Sequence, residues 1–247
     1  MKILISNDDG IFAPGIKALV SAFAKAGYEV YVAAPDSQRS AASHSMTLFR
    51  PLTAKETTFE GAVKAWAIDG TPVDCVKLAV ETLCPEVEAV LSGINHGYNA
   101  GSDVLYSGTV GAAMEGALSG KPALAVSLGY EREDTYDKAA ALAVEAFNKA
   151  KAQAMPAYSL LNLNYPENDE ALGLKATSLR ALRYLETYEP HVGEDGVVQY
   201  TLNGALDKNM EDGEDDYTWL RRGYATVTVL SFDLTHDAAT KALEDIL

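Results

Sequence analysis

The stretch Lys2-Ile3-Leu4-Ile5-Ser6-Asn7-Asp8-Asp9-Gly10 is an apolar run that ends in an amide, two adjacent carboxylates and a glycine. Ile3, Leu4 and Ile5 follow one another without polar alternation, the pattern of a central parallel strand covered on both faces. In open α/β sheets ligands bind beyond the carboxyl ends of the strands, which puts Asn7, Asp8 and Asp9 where a site is expected. Two carboxylates about 4 Å apart repel by about 4 kcal/mol at an effective dielectric of roughly 20, so keeping both ionised at a partly buried strand end needs a cation or a shared proton. Carboxylate oxygens are hard ligands and suit magnesium, manganese or calcium rather than zinc. The other reading of the pair is a cap on the turn or helix that follows. Adjacent residues on a strand face opposite ways, so both acids reach one ion only if the backbone leaves β conformation at Gly10 or just before it.

Outward from Gly10, Ala13-Pro14-Gly15 leads into Ile16, Leu19, Val20 and Phe23 at helical spacing, closed by Gly27. Tyr28 to Ala33 is a second β-rich run ended by Ala34-Pro35, which makes one βαβ unit with a right-handed crossover. The polar run Asp36 to Ser45 then falls at the same sheet edge as Asp8 and forms a second candidate site loop. Met46 to Ile68 reads as a pair of strands or a β arm. Thr71, Pro72 and Asp74 are spaced as cap, first helical residue and capping-box acid of a helix that runs through Leu83 and stops before Pro85. Ala89 to Leu91 is a buried strand and Ser92 to Ser107 a long loop dense in glycine and asparagine. Gly108 opens a helix, ending at Gly120, whose small residues let backbone amides approach a ligand. A strand at Ala123 to Ser127, a helix from Tyr136 to Ala154 and a strand at Leu160 to Leu163 complete the βα pattern. Farther on come β segments around Thr177 to Tyr184, Val197 to Leu202 and Ala225 to Leu234. The run Glu211 to Asp216 reads as a solvated acidic loop, and Asp237 to Leu247 as a short terminal helix.

The expected fold is therefore α/β, a doubly wound, mostly parallel sheet with helices on both faces, followed by a C-terminal β extension and helix. Residues 1–175 form the catalytic core and residues 176–247 the extension, suited to assembly. The chain of 247 residues can bury a substantial core. Its formal charge of −15 argues against a nucleic-acid duplex as partner, since no Lys and Arg cluster is evident to release counterions. No run approaches a membrane span, and Met1-Lys2 leads directly into the first strand, so the expectation is a cytoplasmic protein without membrane partners. Cys75 and Cys84 are spaced like neither a zinc knuckle nor a redox pair and read as buried small residues.

Three polar pieces fall at strand ends: Asn7 to Gly10, Arg39 to Ser43, and Ser92 to Asn95 with its continuation through Gly111. Together they offer two carboxylates, hydroxyls and a side-chain amide, the oxygen donors expected around one divalent cation that also takes water and a phosphate. Several motifs in order now resemble the SurE family of stationary-phase survival proteins. They are Asn7-Asp8-Asp9-Gly10 with Ala13-Pro14-Gly15, Ala34-Pro35-Asp36 with Arg39-Ser40 and Ser43, and Gly70-Thr71-Pro72 with Asp74-Cys75. Ser92-Gly93-Ile94-Asn95 with Gly97, Asn99, Gly101 and Asp103 follows, then Tyr106 to Val110 running into Ala112 to Gly116. The resemblance covers most of the chain and implies a metal-dependent nucleotidase of Rossmann-like fold. It implies hydrolysis of nucleoside 5′- and 3′-monophosphates, in some members of short polyphosphates, with one magnesium or manganese ion per subunit, calcium being a further candidate. It also implies a C-terminal extension exchanged in homodimers or homotetramers. The chain departs from the family at Gly223 to Leu230, where relatives commonly carry a proline near the strand end.

By the resemblance the metal ligands are Asp8, Asp9, Ser40 and Asn95. Ser43, Asn95, Asn99, Ser107, Gly108 and Thr109 are expected around the phosphate, and Asp8, Asp9, Asn99 and Ser107 in the chemistry. Taken alone, a loop serine such as Ser40 or Ser43 more often makes a local turn. His96 reads as a solvated loop histidine or a proton donor, and Tyr98 or Tyr106 as packing or as a platform for a base. A haloacid-dehalogenase-type phosphatase needs Asp-x-Asp, and a Rossmann dehydrogenase needs Gly-x-Gly-x-x-Gly after the first strand; neither is present. A non-catalytic nucleotide-binding or regulatory protein is the remaining alternative.

Overall fold

The computed structural model describes residues 1–129, 135–153, 155–185, 188–207 and 209–244. The chain runs β1 (Lys2–Ser6), α1 (Pro14–Lys25), β2 (Glu29–Pro35), β3 (Ala54–Thr57), β4 (Ala62–Ile68), α2 (Pro72–Leu78), β5 (Ala89–His96), α3 (Gly108–Leu118), β6 (Ala123–Leu128), α4 (Tyr136–Lys151) and β7 (Ser159–Tyr165). It continues through β8 (Leu174–Ala176), β9 (Tyr184–Leu185), β10 (Tyr188–Val192), β11 (Val198–Leu202), β12 (Ala205–Leu206), α5 (Asp216–Arg221), β13 (Ala225–Ser231) and α6 (Asp237–Glu244). The expected ends of the helix at Ala154 and of the last helix at residues 245–247 lie outside the described residues.

Nine strands form one sheet in the order β3-β4-β2-β1-β5-β6-β7-β13-β8. The pairs from β4 through β7 are all parallel, as Ile3 facing both Val30 and Ala89 illustrates for the centre. Successive residues of β1 go to opposite sides: Ile3 and Ile5 join the core under α1 and α4 with Ile16, Phe23 and Phe147, whereas Leu4 joins the core under α2 with Val76 and Ala79. That is why the run has no polar alternation. From β1 the chain first builds outward to β2 and β4, then returns to β5 on the other side of β1. The strand order therefore reverses between β1 and β5, and the crevice beyond their carboxyl ends is where such sheets bind ligands.

Local chemistry explains most boundaries. Thr71 Oγ1 accepts from the Asp74 amide at 3.1 Å while the Thr71 amide donates to Asp74 Oδ2 at 2.8 Å, the expected capping box. The helix continues past Leu78 as a π turn over Ala79–Leu83 and stops before Pro85. The Met46 to Ile68 segment supplies the β3–β4 hairpin, whose second strand lies parallel to β2.

Three expectations change. The loop expected from Ser92 to Ser107 is partly regular: β5 runs to His96, and a 3₁₀ turn covers Gly101–Leu105. The expected strand around Thr177 to Tyr184 shrinks to the short β8 and β9 at its margins. The acidic run is not simply solvated. Asp215 caps α5 by accepting from the Thr218 amide at 2.8 Å, and Asp216, fully buried, accepts from the amides of Gly101 at 2.7 Å and Arg180 at 3.2 Å. Buried carboxylates persist when amide donors replace water, and here they stitch the C-terminal segment to the loop after β5. The C-terminal segment also returns to the sheet, because β13 lies antiparallel to β7. Val229 pairs with Leu161, and β13 runs unbroken from Ala225 to Ser231. Among the described residues no helix is long and apolar enough to cross a membrane.

Candidate metal centre

β1 ends at Ser6, opposite Ser92 of β5, and the backbone bends through Asp8 and Asp9. Gly10 then adopts φ +97°, a conformation that favours glycine, and a Cβ there would sit 3.3 Å from the Ser37 backbone. Asn7 Nδ2 closes the turn by donating to the Gly10 carbonyl at 2.9 Å. The chain has thus left β conformation before the two acids, and both line one cavity of about 780 Å³. The same cavity is lined by Ser40, Asn95, Asn99 and Ser107.

Each donor is held in place. The loop carrying Ser40 is tied to β1 by the Arg39 amide, which donates to the Asp8 carbonyl at 2.7 Å. Asn95 follows a bulge in β5 between Ser92 and Asn95, and bulges re-aim side chains. Its Nδ2 donates to the Gly97 carbonyl at 2.9 Å, so Oδ1 is the atom left to accept or coordinate. Asn99 is buried: its Nδ2 donates to Ser127 Oγ at 2.8 Å, and its carbonyl accepts from Asn162 and Asn164 at 2.7 and 3.0 Å. Ser107 caps α3, accepting from the Val110 amide at 3.0 Å.

Asp8 is only 6 % exposed, and burial, the largest influence, pushes its carboxyl up to about 6; the Thr109 hydroxyl pulls it down and the Asp9 charge pushes it up further. Asp9 is raised as well, again chiefly by burial, with the His96 amide at 3.3 Å acting the other way. Neither carboxylate is in an ion pair with a lysine or arginine among the described residues. Nor do three or more His, Cys, Asp or Glu gather in a metal-binding cluster there. A buried and a half-buried carboxylate, neither paired with a lysine or arginine among the described residues, beside a hydroxyl and an amide oxygen make an all-oxygen donor set that fits one hard divalent cation.

The sequence matches the family described as "Survival protein SurE" over residues 3–186. The chain belongs to the SurE family. A relative from Synechococcus elongatus, called 5′-nucleotidase SurE, is 43% identical over 257 aligned residues covering 100% of this chain and 99% of its own. Another of the same name from Desulforamulus reducens is 44% identical over 247 residues, covering 98% and 97%. The crystal structure of the SurE protein from Aquifex aeolicus superimposes with a TM-score of 0.85 at 33% identity, covering 100% of this chain and 99% of that one.

Not every expected residue of this SurE chain reaches the cavity. Thr109 is fully enclosed, with its hydroxyl 2.5 Å and its amide 3.1 Å from the two Asp8 oxygens, so it holds Asp8 rather than facing a phosphate. Gly108 is needed for the same approach, since a Cβ would stand 2.9 Å from Asp8 Cβ. Ser43 is committed elsewhere. Its Oγ donates to the Leu105 carbonyl at 2.6 Å, and it lines a neighbouring groove rather than the cavity of Asp8. The loop is anchored a second time by His44, whose Nε2 lies 3.0 Å from Glu115 Oε2, while Lys77 Nζ donates to Glu115 Oε1 at 3.1 Å. These contacts hold the buried Glu115 below the ordinary carboxylate range, the His44 hydrogen bond contributing most.

Sequence reasoning missed Gln38, whose Nε2 is 3.4 Å from Asp9 Oδ1, and the tyrosines of the C-terminal segment that line the cavity, Tyr184 and Tyr188. Gln38 lay inside the flagged polar loop; nothing local marked the tyrosines. The support role of Thr109 is testable. Thr109→Val removes a charge-assisted hydrogen bond to Asp8 without changing volume much, and outer-sphere partners of this kind are worth about 10–100-fold in metal affinity. Metal titration of activity should give a half-saturating concentration at least about tenfold above wild type, and an unchanged value would assign Thr109 another role.

Proposed function

We propose that the chain is a metal-dependent 5′-nucleotidase that hydrolyses nucleoside monophosphates at the Asp8–Asp9 cavity. The observation that carries the reading is the convergence of Asp8, Asp9, Ser40 and Asn95 on one cavity that Asn99 and Ser107 also line. A single magnesium or manganese ion held by those four residues would offset phosphoryl charge and lower the pKa of water. The protein groups then do the rest. Ser107 uses its oxygen to accept from the Val110 amide, which leaves its O–H to donate to a phosphate oxygen. Asn99, fixed by Ser127, Asn162 and Asn164, presents its amide without reorganisation during the reaction. Asp9, more open than Asp8, would take the proton of the attacking water.

Activity on 3′-monophosphates and short polyphosphates belongs to the same proposal. Residues 1–175 carry the residues proposed for the metal and phosphate, and residues 176–247 assemble a homodimer or homotetramer. In support, every residue of strands β10 and β11 is exposed, including Val192, Val198 and Tyr200, which lie outside the wall of the cavity. The free, buried thiols of Cys75 and Cys84 are in keeping with a cytoplasmic enzyme. Phosphate release from a panel of nucleotides with magnesium, manganese or EDTA tests the function. Release with metal and none with EDTA is expected, whereas tight nucleotide binding without turnover would establish the regulatory alternative.

A further inference from the structure

The donors assigned to the cation and phosphate account for only part of the cavity wall. The remainder includes Tyr106, Asp103, Tyr184, Tyr188, Leu202 and Gly204, four of them from the C-terminal segment. That segment is stitched over the site loop. The Ser102 amide donates to the Arg180 carbonyl at 2.8 Å, the Leu182 amide to Ser102 Oγ at 3.1 Å, and the Tyr184 hydroxyl to Asp103 Oδ2. Gly101 permits the approach, since a Cβ there would meet the Arg180 carbonyl at 2.4 Å. Tyr106 and Tyr188 nevertheless remain 66% and 64% exposed while lining the cavity, so packing does not explain them.

Two accessible tyrosine rings on the wall of a phosphate site match a flat aromatic ligand. Every nucleobase has a π face, and stacking on an aromatic side chain stabilises a bound base whatever its identity. A cavity of about 780 Å³ is of the size that encloses a small organic ligand and not only a phosphate. Tyrosine also loses little conformational entropy when it orders against a ligand. Tyr106 immediately precedes Ser107, so one of these rings is joined in sequence to the phosphate-facing cap of α3.

We propose that Tyr106 from the core and Tyr188 from the C-terminal hairpin form the nucleobase wall of the site, with the Asp103–Tyr184 hydrogen bond holding the hairpin over it. The hairpin is then a specificity element, favouring nucleotides over phosphomonoesters that lack a flat base. This rests on the nucleotidase reading and is tested so that the two can fail separately. With the full-length manganese-loaded protein, kcat/KM is measured for a purine nucleoside 5′-monophosphate and for glycerol phosphate. The variants are Tyr106→Ala, Tyr188→Ala and Tyr188→Phe. Each alanine variant should lower the nucleotide-to-glycerol-phosphate ratio about tenfold, mainly through KM, and Tyr188→Phe should retain the ratio. An unchanged ratio, or parallel losses on both substrates, would overturn the wall. If wild type fails to turn over nucleotides but hydrolyses glycerol phosphate, the nucleotidase reading falls. The wall is then read from inhibition by adenosine: weaker inhibition of Tyr188→Ala supports it, and no inhibition of wild type overturns it.

Discussion

Asp8→Asn is expected to lower metal-dependent phosphatase activity by about 10³-fold or more while leaving the protein folded. The activity loss follows from removing one of the two carboxylates proposed to hold the cation, whose charge stabilisation is worth several kcal/mol at about 1.4 kcal/mol per decade. Retained folding follows from burial. Without a cation the Asp8 carboxyl titrates at about 6, against an ordinary value of 3.8. The folded state therefore binds this proton more tightly than the unfolded chain. The stability linked to that proton is fully present below the ordinary value and is lost as pH rises through 6. Asparagine carries no such charge, so the metal-free variant at pH 7 should melt no lower than metal-free wild type. Manganese at a hundred times its Kd should stabilise wild type by about 2.7 kcal/mol, a shift of roughly 5–10 °C, most strongly above pH 6 where Asp8 is ionised. The same addition should leave Asp8→Asn unmoved. Thermal melts over pH 5–8 with manganese or EDTA measure both effects, and a variant that keeps its manganese shift would remove Asp8 from the ligand set.

The contrast between Asp8 and Thr109 explains what could be read in the sequence. Ile3-Leu4-Ile5 announced a strand covered on both sides because β1 sends neighbouring residues into two cores, and the capping box at Thr71 announced its helix because every group involved is local. The four residues proposed to hold the metal were legible as oxygen donors at successive strand ends. Their layering was not, since a hydroxyl that faces a phosphate and one that sits behind a carboxylate look alike in a motif. Thr109 is such a case, and only the three-dimensional approach of α3 to β1, made possible by Gly108, assigns it, just as only its bond to the Leu105 carbonyl assigns Ser43. The C-terminal segment was least legible. Its Asp216 became a buried anchor and its last long strand joined β7 through contacts far apart in sequence, where β character reflects neighbours more than the residues themselves.

The same logic locates a position where a single methyl group should disturb fold and site together. Gly15, at the start of α1, crosses β5 so closely that a Cβ would lie 1.9 Å from the Ile94 carbonyl oxygen, 2.9 Å from its carbon and 3.1 Å from Tyr136 Cε1. The backbone carbonyl cannot rotate aside as a flexible side chain could, and Ile94 is fully buried. Gly15→Ala must therefore push α1 away from β5, loosening Ile16 and Leu19 in the core and shifting the residue that precedes Asn95. Overpacking of this kind costs typically 1–3 kcal/mol where side chains can move, and about 3 kcal/mol or more is expected here, roughly 6–12 °C in Tm. Unlike Asp8→Asn, it should lower stability and weaken metal binding in parallel, because the helix that covers the core also backs the strand that delivers Asn95. Gly27→Ala serves as the comparison: it has φ +87° but no neighbour within 4 Å of an added Cβ, so it should lose stability without changing the metal dependence of activity. If Gly15→Ala melted like wild type with normal metal affinity, the close crossing of α1 over β5 would not be what places Asn95.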